Sequence, residues 1–145
     1  MTAPCELVGV STPAQWNAFH KIRETILFEA RGRFGVYDRN HPDDFNPENQ
    51  PFLLLRSDRP VGVARLDRLG ETRGGIRLVA IDAPMQRQGY GRILMAMVEA
   101  CALNAGLVRL ELNSAPEALT FYQHLGWQLV DAEREHPLLE KVLVC

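Results

Sequence analysis

The first thirty residues carry two apolar patterns in succession, which predict a strand followed by a helix. Glu6–Val10 is short and rich in β-prone residues, as expected for a strand. Thr12 can cap a helix, Pro13 suits its first position, and Gln15 completes a capping box. Helical spacing then continues to about Ala30. The apolar residues at this spacing are Trp16, Phe19, Ile22 and Ile26.

The middle of the chain predicts an irregular segment and then three strands. Glycines and prolines interrupt Arg31–Pro51, which is also polar and acidic, as a solvated surface loop would be. Pro51–Arg56 is an apolar strand, and Ser57–Pro60 has the composition of a turn. Val61–Leu66 returns as the partner strand of a hairpin. After a polar connection, Ile76–Ile81 forms a third strand.

The second half of the chain alternates helices with strands. An amphipathic helix follows Gln86–Arg92 and stops at Gly106, a residue suited to the position after a helix. Leu107–Leu112 predicts a strand, and Ser114 starts a helix that ends at Gly126. Two closing strands are predicted at Trp127–Val130 and Leu138–Val144. The order β-α-loop-β-β-β-α-β-α-β-β predicts an α/β fold, with helices on both faces of a mixed sheet.

Composition narrows the classes of protein to which the chain can belong. Its 145 residues suit one domain, residues 1–145, with a real core. A net charge of −2 gives no reason to expect nucleic acid or an anionic membrane as a partner. No apolar segment is long enough to span a bilayer, and no signal peptide is evident. Three widely spaced cysteines match no metal motif, so we expect no metal and a cytoplasmic location.

The segment Gln86–Arg92 predicts a binding site for an anion. It lies between an apolar strand and a helix start, where backbone N–H groups lack intrahelical partners. Gly89 and Gly91 allow close approach to the backbone, and Arg87 and Arg92 add positive charge. A phosphate or pyrophosphate is the ligand that this combination favours. An ordinary strand-to-helix turn would explain the two glycines equally well.

Two nucleotide-binding motifs fit this segment less well. A P-loop needs Gly-Lys-Ser/Thr at the helix start, whereas Arg92 and Ile93 follow Gly91. A Rossmann fingerprint needs a third glycine, where Leu94 stands. Glu111 lies about twenty residues further on, as a ribose-binding acid would, and keeps NAD or NADP binding open as an alternative.

The spacing Gln-x-x-Gly-x-Gly resembles the acetyl-CoA pyrophosphate loop of the GCN5-related N-acetyltransferase (GNAT) superfamily. The run Ile81–Arg92 is similar to the strand-loop-helix element of that family, and Phe121–Trp127 resembles its second signature at the expected distance. The resemblance covers about residues 50–145. It implies a GNAT-like mixed, splayed central sheet, and an acetyl-CoA-dependent N-acetyltransferase that acts on an amine acceptor of unknown identity.

The resemblance also implies where acetyl-CoA binds. The sheet would splay between Ile81 and the strand Leu107–Leu112, and the pantetheine arm would lie in the split. The arm would use free backbone groups of Ile81, Asp82 and Ala83 as an added strand does. Asn113 would be a further polar contact to the arm. The pyrophosphate would take the backbone N–H groups of Arg87, Gln88, Gly89, Tyr90, Gly91 and Arg92.

The same resemblance suggests catalytic roles. Tyr122 matches the family tyrosine that protonates the CoA thiolate, although it would also fit a purely packing role beside Leu119 and Leu125. Many members carry a glutamate on the strand before the phosphate loop, where this chain has Arg77. Glu111, on the next strand, is the alternative general base, acting through water. Its other interpretation is a charge paired with a neighbour on the sheet.

Several functional alternatives stay open on the sequence. The absent glutamate motivates a non-catalytic acyl-CoA-binding regulatory module as a second function. Besides a solvated loop, the acidic segment Arg31–Pro51 could be an acceptor-recognition segment, because carboxylates such as Asp43 and Asp44 would attract a cationic amine. That amine could be a small molecule, a peptide N-terminus or a lysine. Closing strands of this family often pair across a homodimer, and the sequence does not separate that arrangement from an exposed edge.

Overall fold

Seven strands form one mixed sheet in the computed structural model, which describes residues 4–144. All neighbouring strands are antiparallel except β4 and β5, which are parallel. The spatial order is β1-β2-β3-β4-β5-β7-β6. The strands are β1 (Cys5–Gly9), β2 (Asn49–Arg56), β3 (Arg59–Arg68), β4 (Arg73–Ile81), β5 (Arg109–Asn113), β6 (Gln128–Asp131) and β7 (Leu138–Val142).

Three α-helices connect these strands: α1 (Pro13–Arg23), α2 (Tyr90–Asn104) and α3 (Leu119–His124). The predicted capping box of α1 is formed, because the backbone N–H groups of Thr12 and Gln15 each donate to the other residue's side chain at 3.1 Å. After α1 the chain stays helical, but it widens to a π turn at Glu24–Phe28 and tightens to a 3₁₀ turn at Glu29–Arg31. The predicted helical extent to about Ala30 is therefore confirmed, with an unforeseen change of pitch.

The hydrophobic core has two parts, one on each face of the sheet. On one face, Phe52 and Leu54 of β2 pack in the same cluster as Leu94 and Val98 of α2. Leu53, between them in sequence, points the other way into a cluster with Phe19 of α1. This alternation is the two-residue period of a strand covered on both sides. It confirms the predicted α/β fold with helices on both faces.

The sheet splays between β4 and β5, as the family resemblance implied. Only Arg73–Gly75 of β4 pairs with β5, and Ile76–Ile81 then diverges from it. Leu78 has φ 55°, and the pairing of β4 with β3 passes over Leu78 and Val79 of β4 but only Ala64 of β3, which marks a β-bulge. Backbone groups on the β5 side of β4 are thus free for a ligand.

Three boundary predictions are wrong. The polar connection predicted before Ile76 is mostly strand, because β3 extends to Arg68 and β4 begins at Arg73. The segment predicted as a solvated loop contains a helical turn, Pro42–Phe45, which buries Asp44. Ser114 does not cap α3, because its hydroxyl donates to the Ala115 carbonyl oxygen and a 3₁₀ turn precedes the helix. Within residues 4–144, no helix is long and apolar enough to cross a membrane.

Candidate active site

The loop before α2 has the backbone geometry of an anion cradle. Arg87 (φ 63°) and Gly89 (φ 89°) both adopt the left-handed conformation, which turns the chain into the helix at Tyr90. No side chain caps this helix, so its first N–H groups keep their hydrogen-bonding capacity. No described atom outside its immediate neighbours would lie within 4 Å of a Cβ on Gly89, so the surface there is open. These features support the predicted phosphate loop.

Two glutamines hold the loop in place. The Gln86 side-chain amide donates to the Ile81 carbonyl oxygen at 2.9 Å, and the Gln88 amide donates to the Pro84 carbonyl oxygen at 2.9 Å. Tyr90 is buried, so only its backbone is available to a ligand. Gln86, the first residue of the Gln-x-x-Gly-x-Gly pattern, therefore has a local structural function: it ties the loop back to the end of β4.

The backbone at the end of β4 is less available than the sequence predicted. Asp82 donates its N–H to the Val61 carbonyl oxygen at 2.9 Å. The Ala83 N–H is capped by the Asp82 carboxylate, and the Ile81 carbonyl oxygen accepts from Gln86. These groups already have partners inside the protein, so the pantetheine contacts predicted at Ile81, Asp82 and Ala83 would have to compete with them. The unpaired stretch lies earlier, at residues 76–80.

A cleft of about 290 Å³ occupies the splay between β4 and β5. Leu78 and Val79 of β4 form one wall, and Leu112 and Asn113 of β5 face them. Tyr122 of α3 closes the cleft on the α2 side. The opposite side and the mouth are formed by Leu27, Phe28, Arg31, Arg33 and His136. The structure thus brings Asn113 and Tyr122 together.

Tyr122 is suited to remain a proton donor in this cleft. Its side chain is 8% exposed, and burial raises the pKa of its hydroxyl to about 12. Within the described residues, the hydroxyl has no recorded hydrogen-bond partner. The rings of Phe121 and Trp127 pack edge-on against the Tyr122 ring. The phenol is consequently neutral at physiological pH and free to bond a ligand.

Glu111 does not line this cleft. Leu110 and Leu112 point into the core with α2, so strand alternation directs Glu111 to the other face of the sheet. There its carboxylate lies 3.7 Å from both Arg73 and Arg77. The structure thus favours the second interpretation weighed from the sequence, a charge paired on the sheet, and does not bring Glu111 to Tyr122.

A second cavity, of about 310 Å³, adjoins the cleft. The two share Phe28 and the bulge residue Leu78, which stand between them. The remaining wall comes from α1, from β3 and from the segment after residue 35: Arg23, Arg65, Val36, Tyr37, Asp38, His41, Asp43 and Asp44. A molecule in this cavity would reach the splay from the face opposite α2.

Buried ion pairs form the floor of this cavity. Asp44 is 3% exposed, and both of its carboxylate oxygens lie 2.9 Å from Nη1 of Arg23. Arg65 donates to the same carboxylate at 3.0 Å and to Asp67 at 2.7 and 2.9 Å. Asp44 is thus buried and paired with two guanidinium groups, which disfavours its predicted role in attracting a cationic amine. Asp43 remains exposed at the rim.

The sequence did not identify Tyr37, which lines this cavity, or His20, which contacts Tyr37. The His20 Nδ1 atom lies 2.6 Å from the Tyr37 hydroxyl oxygen. Burial lowers the pKa of His20 and raises the pKa of Tyr37, so both are neutral near pH 7. The sequence contained one signal for this pair: His20 is a titratable residue within the apolar stripe of α1. In residues 4–144, no cluster of three or more His, Cys, Asp or Glu side chains could hold a metal ion.

The amino-acid sequence is similar to a known protein family and to individual bacterial proteins. A family model described as an acetyltransferase (GNAT) domain matches residues 36–140. The Bacillus subtilis (strain 168) protein named "Uncharacterized protein YyaT" is 26% identical over 124 residues, which are 86% of this chain and 83% of that protein.

The fold is shared with solved structures, among them an N-acyltransferase and an N-acetyltransferase. An acyl-CoA N-acyltransferase from Pseudomonas aeruginosa has a TM-score of 0.82 at 16% identity, covering 97% of this chain and 100% of that one. An aminoglycoside 6'-N-acetyltransferase complexed with coenzyme A has a TM-score of 0.79 at 13% identity, covering 97% and 98%. Both likenesses agree with the α/β architecture predicted from the sequence.

Proposed function

The chain belongs to the GNAT acetyltransferase family, and on that premise we propose that it moves the acetyl group of acetyl-CoA to a primary amine. The amine attacks directly while both substrates are bound, and Tyr122 protonates the departing CoA thiolate. The observation that carries this proposal is the position of Tyr122: its side chain is largely buried, and it lines the cleft between the splayed strands. The amine, from a small molecule, peptide or protein, enters through the second cavity.

The free edge of β4 and the loop before α2 would hold acetyl-CoA. The N–H groups of Arg87–Arg92 bind the pyrophosphate, because an uncapped helix start stabilises negative charge. The pantetheine arm adds to the unpaired edge of β4 at residues 76–80, where neighbouring backbone groups are free. Asn113 lines the cleft across from this edge and offers an amide to the arm.

Tyr122 acts when the thiolate leaves. The amine nitrogen forms a bond to the acetyl carbon, the carbon–sulfur bond breaks, and the thiolate sulfur takes the phenolic proton. The phenolate then recovers a proton released by the new amide nitrogen, so the protons balance. A free thiol has a pKa of about 8.5, well below that of Tyr122, but burial in the same cleft raises the thiol pKa as well and narrows the difference.

Replacing Tyr122 by Phe tests this role. The hydroxyl is lost while the ring that packs against Trp127 is kept, so acetyl-CoA should bind with unchanged affinity. We expect kcat to fall about 100-fold, the lower range for loss of a general acid. Affinity is measured by calorimetric titration and turnover by CoA release with a panel of amines. His124→Gln, an exposed change on the same helix, is the matched control.

The titration also separates the competing functions. Tight binding of acetyl-CoA without binding of NAD supports the loop assignment, and preference for NAD would refute it. Acetyl-CoA binding with no CoA release for any amine would instead support a non-catalytic acyl-CoA-binding module. Full turnover by Tyr122→Phe across the pH range would remove Tyr122 from the mechanism.

A further inference from the structure

His20 and Tyr37 form a short, enclosed hydrogen bond at the wall of the second cavity. The His20 Nδ1 atom and the Tyr37 hydroxyl oxygen are 2.6 Å apart, and His20 is only 5% exposed. Trp16 stacks on the imidazole with ring centroids 5.4 Å apart, and Phe28 packs edge-on against the phenol at 5.0 Å. Aromatic contacts on both rings hold the pair in one geometry.

The direction of this hydrogen bond follows from the charge state of His20. Burial is the largest effect and lowers the pKa of His20. Arg23 and Arg39 lower it further, while Asp44 and Glu24 raise it. A neutral imidazole has one nitrogen without a proton, and Nδ1 accepts here because the phenol is a donor. Tyr37 therefore donates to His20, and Tyr37 lines the cavity. Burial raises the pKa of Tyr37, Arg23 beside its hydroxyl and Arg39 lower it, and Asp44 raises it.

Other acidic or basic groups around this cavity are poorly suited to take a proton from an amine. The Asp44 carboxylate is paired with Arg23 and Arg65. Asp43 and His41 are more than half exposed at the rim and lie beside each other. Asp38 is also exposed, and its carboxylate accepts from the Asn40 backbone N–H. Among the described residues lining the cavity, Tyr37 is the one polar group that is backed by a buried neutral base.

We propose that Tyr37 and His20 together deprotonate the amine that is to be acetylated, a role that rests on the proposed function. An amine in the cavity arrives mostly as an ammonium ion, which cannot attack a thioester. The ammonium proton moves to the Tyr37 oxygen as the Tyr37 proton moves to His20 Nδ1, which leaves a neutral amine and an imidazolium. After the product leaves, the proton returns to solvent by the same two atoms, so nothing is consumed.

The pH dependence of variants tests the pair. Tyr37→Phe and His20→Gln are compared with the wild-type protein and with His124→Gln. The probes are Nα-acetyl-lysine amide, a tetrapeptide with a free N-terminus and spermidine, of which the fastest wild-type acceptor is used. We expect both variants to lose about 100-fold in kcat/KM for this amine at pH 7. Their acetyl-CoA affinity should not change, which also shows that they fold.

The decisive readout is recovery at high pH. At pH 9.5 a substantial part of the amine is already neutral, so the variants should approach the wild-type rate. A merely structural role would lower the rate equally at all pH values. A pH-independent loss, or no loss, therefore overturns the role of the pair while the proposed function stands. No CoA release by the wild-type protein with any probe would refute the proposed function itself.

Discussion

Loss of the Asp44 ion pairs should lower the free energy of unfolding more than any other change that we consider. Asp44→Ala removes the carboxylate that joins Arg23 of α1 to Arg65 of β3. Arg65 keeps two hydrogen bonds to Asp67. Arg23 is 2% exposed, and its Nε and Nη2 atoms have no hydrogen-bond partner even in the intact protein. Without Asp44, its guanidinium loses its carboxylate partner and keeps the ring of Phe19, 4.0 Å away, and the neighbouring Tyr37 side chain.

The expected loss of stability follows from that orphaned charge. Removing one partner of a buried ion pair costs about 3–5 kcal/mol, a large part of the roughly 5–15 kcal/mol that stabilises a domain. With an m-value of about 2 kcal/mol/M, the urea midpoint should fall by roughly 1.5–2.5 M. Asp43→Ala is the matched control. It alters the adjacent but exposed carboxylate and should shift stability by less than about 0.5 kcal/mol.

A double variant distinguishes orphaned charge from lost packing. Adding Arg23→Met to Asp44→Ala removes the uncompensated guanidinium and should recover part of the stability. Urea unfolding monitored by tryptophan fluorescence gives the midpoints of the wild type and the three variants, and equal slopes would show that the unfolded states are comparable. A loss below about 1 kcal/mol for Asp44→Ala alone would contradict the argument, as would further destabilisation by Arg23→Met.

Two further predictions concern the core and the acid limit of stability. Gly74→Ala places a Cβ 2.7 Å from the Leu107 side chain and 3.1 Å from the Asp67 carbonyl oxygen. Urea unfolding should therefore show a free energy of unfolding lower by about 1–3 kcal/mol. Gly70→Ala, whose Cβ would make only an ordinary contact, is the control. The pKa of His20 is lowered in the folded state, so the unfolded state takes up the proton first as the pH falls below 6.5. Stability should therefore decline from that pH towards the folded-state pKa, and urea midpoints measured against pH should show a shallower decline for His20→Gln.

The sequence by itself determined most of the elements and the family. Thr12 and Gln15 form the capping box that the spacing predicted, and Gly106 turns the chain in the left-handed conformation after α2. Such features depend on residues three or four positions apart, so a short stretch of sequence is enough to predict them. The spacing Gln-x-x-Gly-x-Gly and the run Phe121–Trp127 identified the family, because both encode backbone turns and close contacts that few other residues allow.

Only the tertiary structure decided which side chains meet. The face of Glu111 could be predicted from strand alternation, but Arg73 and Arg77 approach it from β4, across a parallel pairing whose register has no local signal. The local sequence predicted that Asp44 is solvated. Burial of a charged side chain requires partners of opposite charge, and these can lie far away in the sequence. In this protein those partners are Arg23 and Arg65, each twenty-one residues away.

The residues of the candidate site also differ in whether local sequence or tertiary structure reveals them. Tyr122 lies on a short helix, and the run Phe121–Trp127 around it is sufficient to predict its role. Tyr37 lies in an irregular segment with no periodicity, and it meets His20 only because that segment folds back over α1. Local sequence determines helices and turns through short-range hydrogen bonds and sterics. The bulge, the splay and the paired groups arise from long-range packing, which no window of sequence contains.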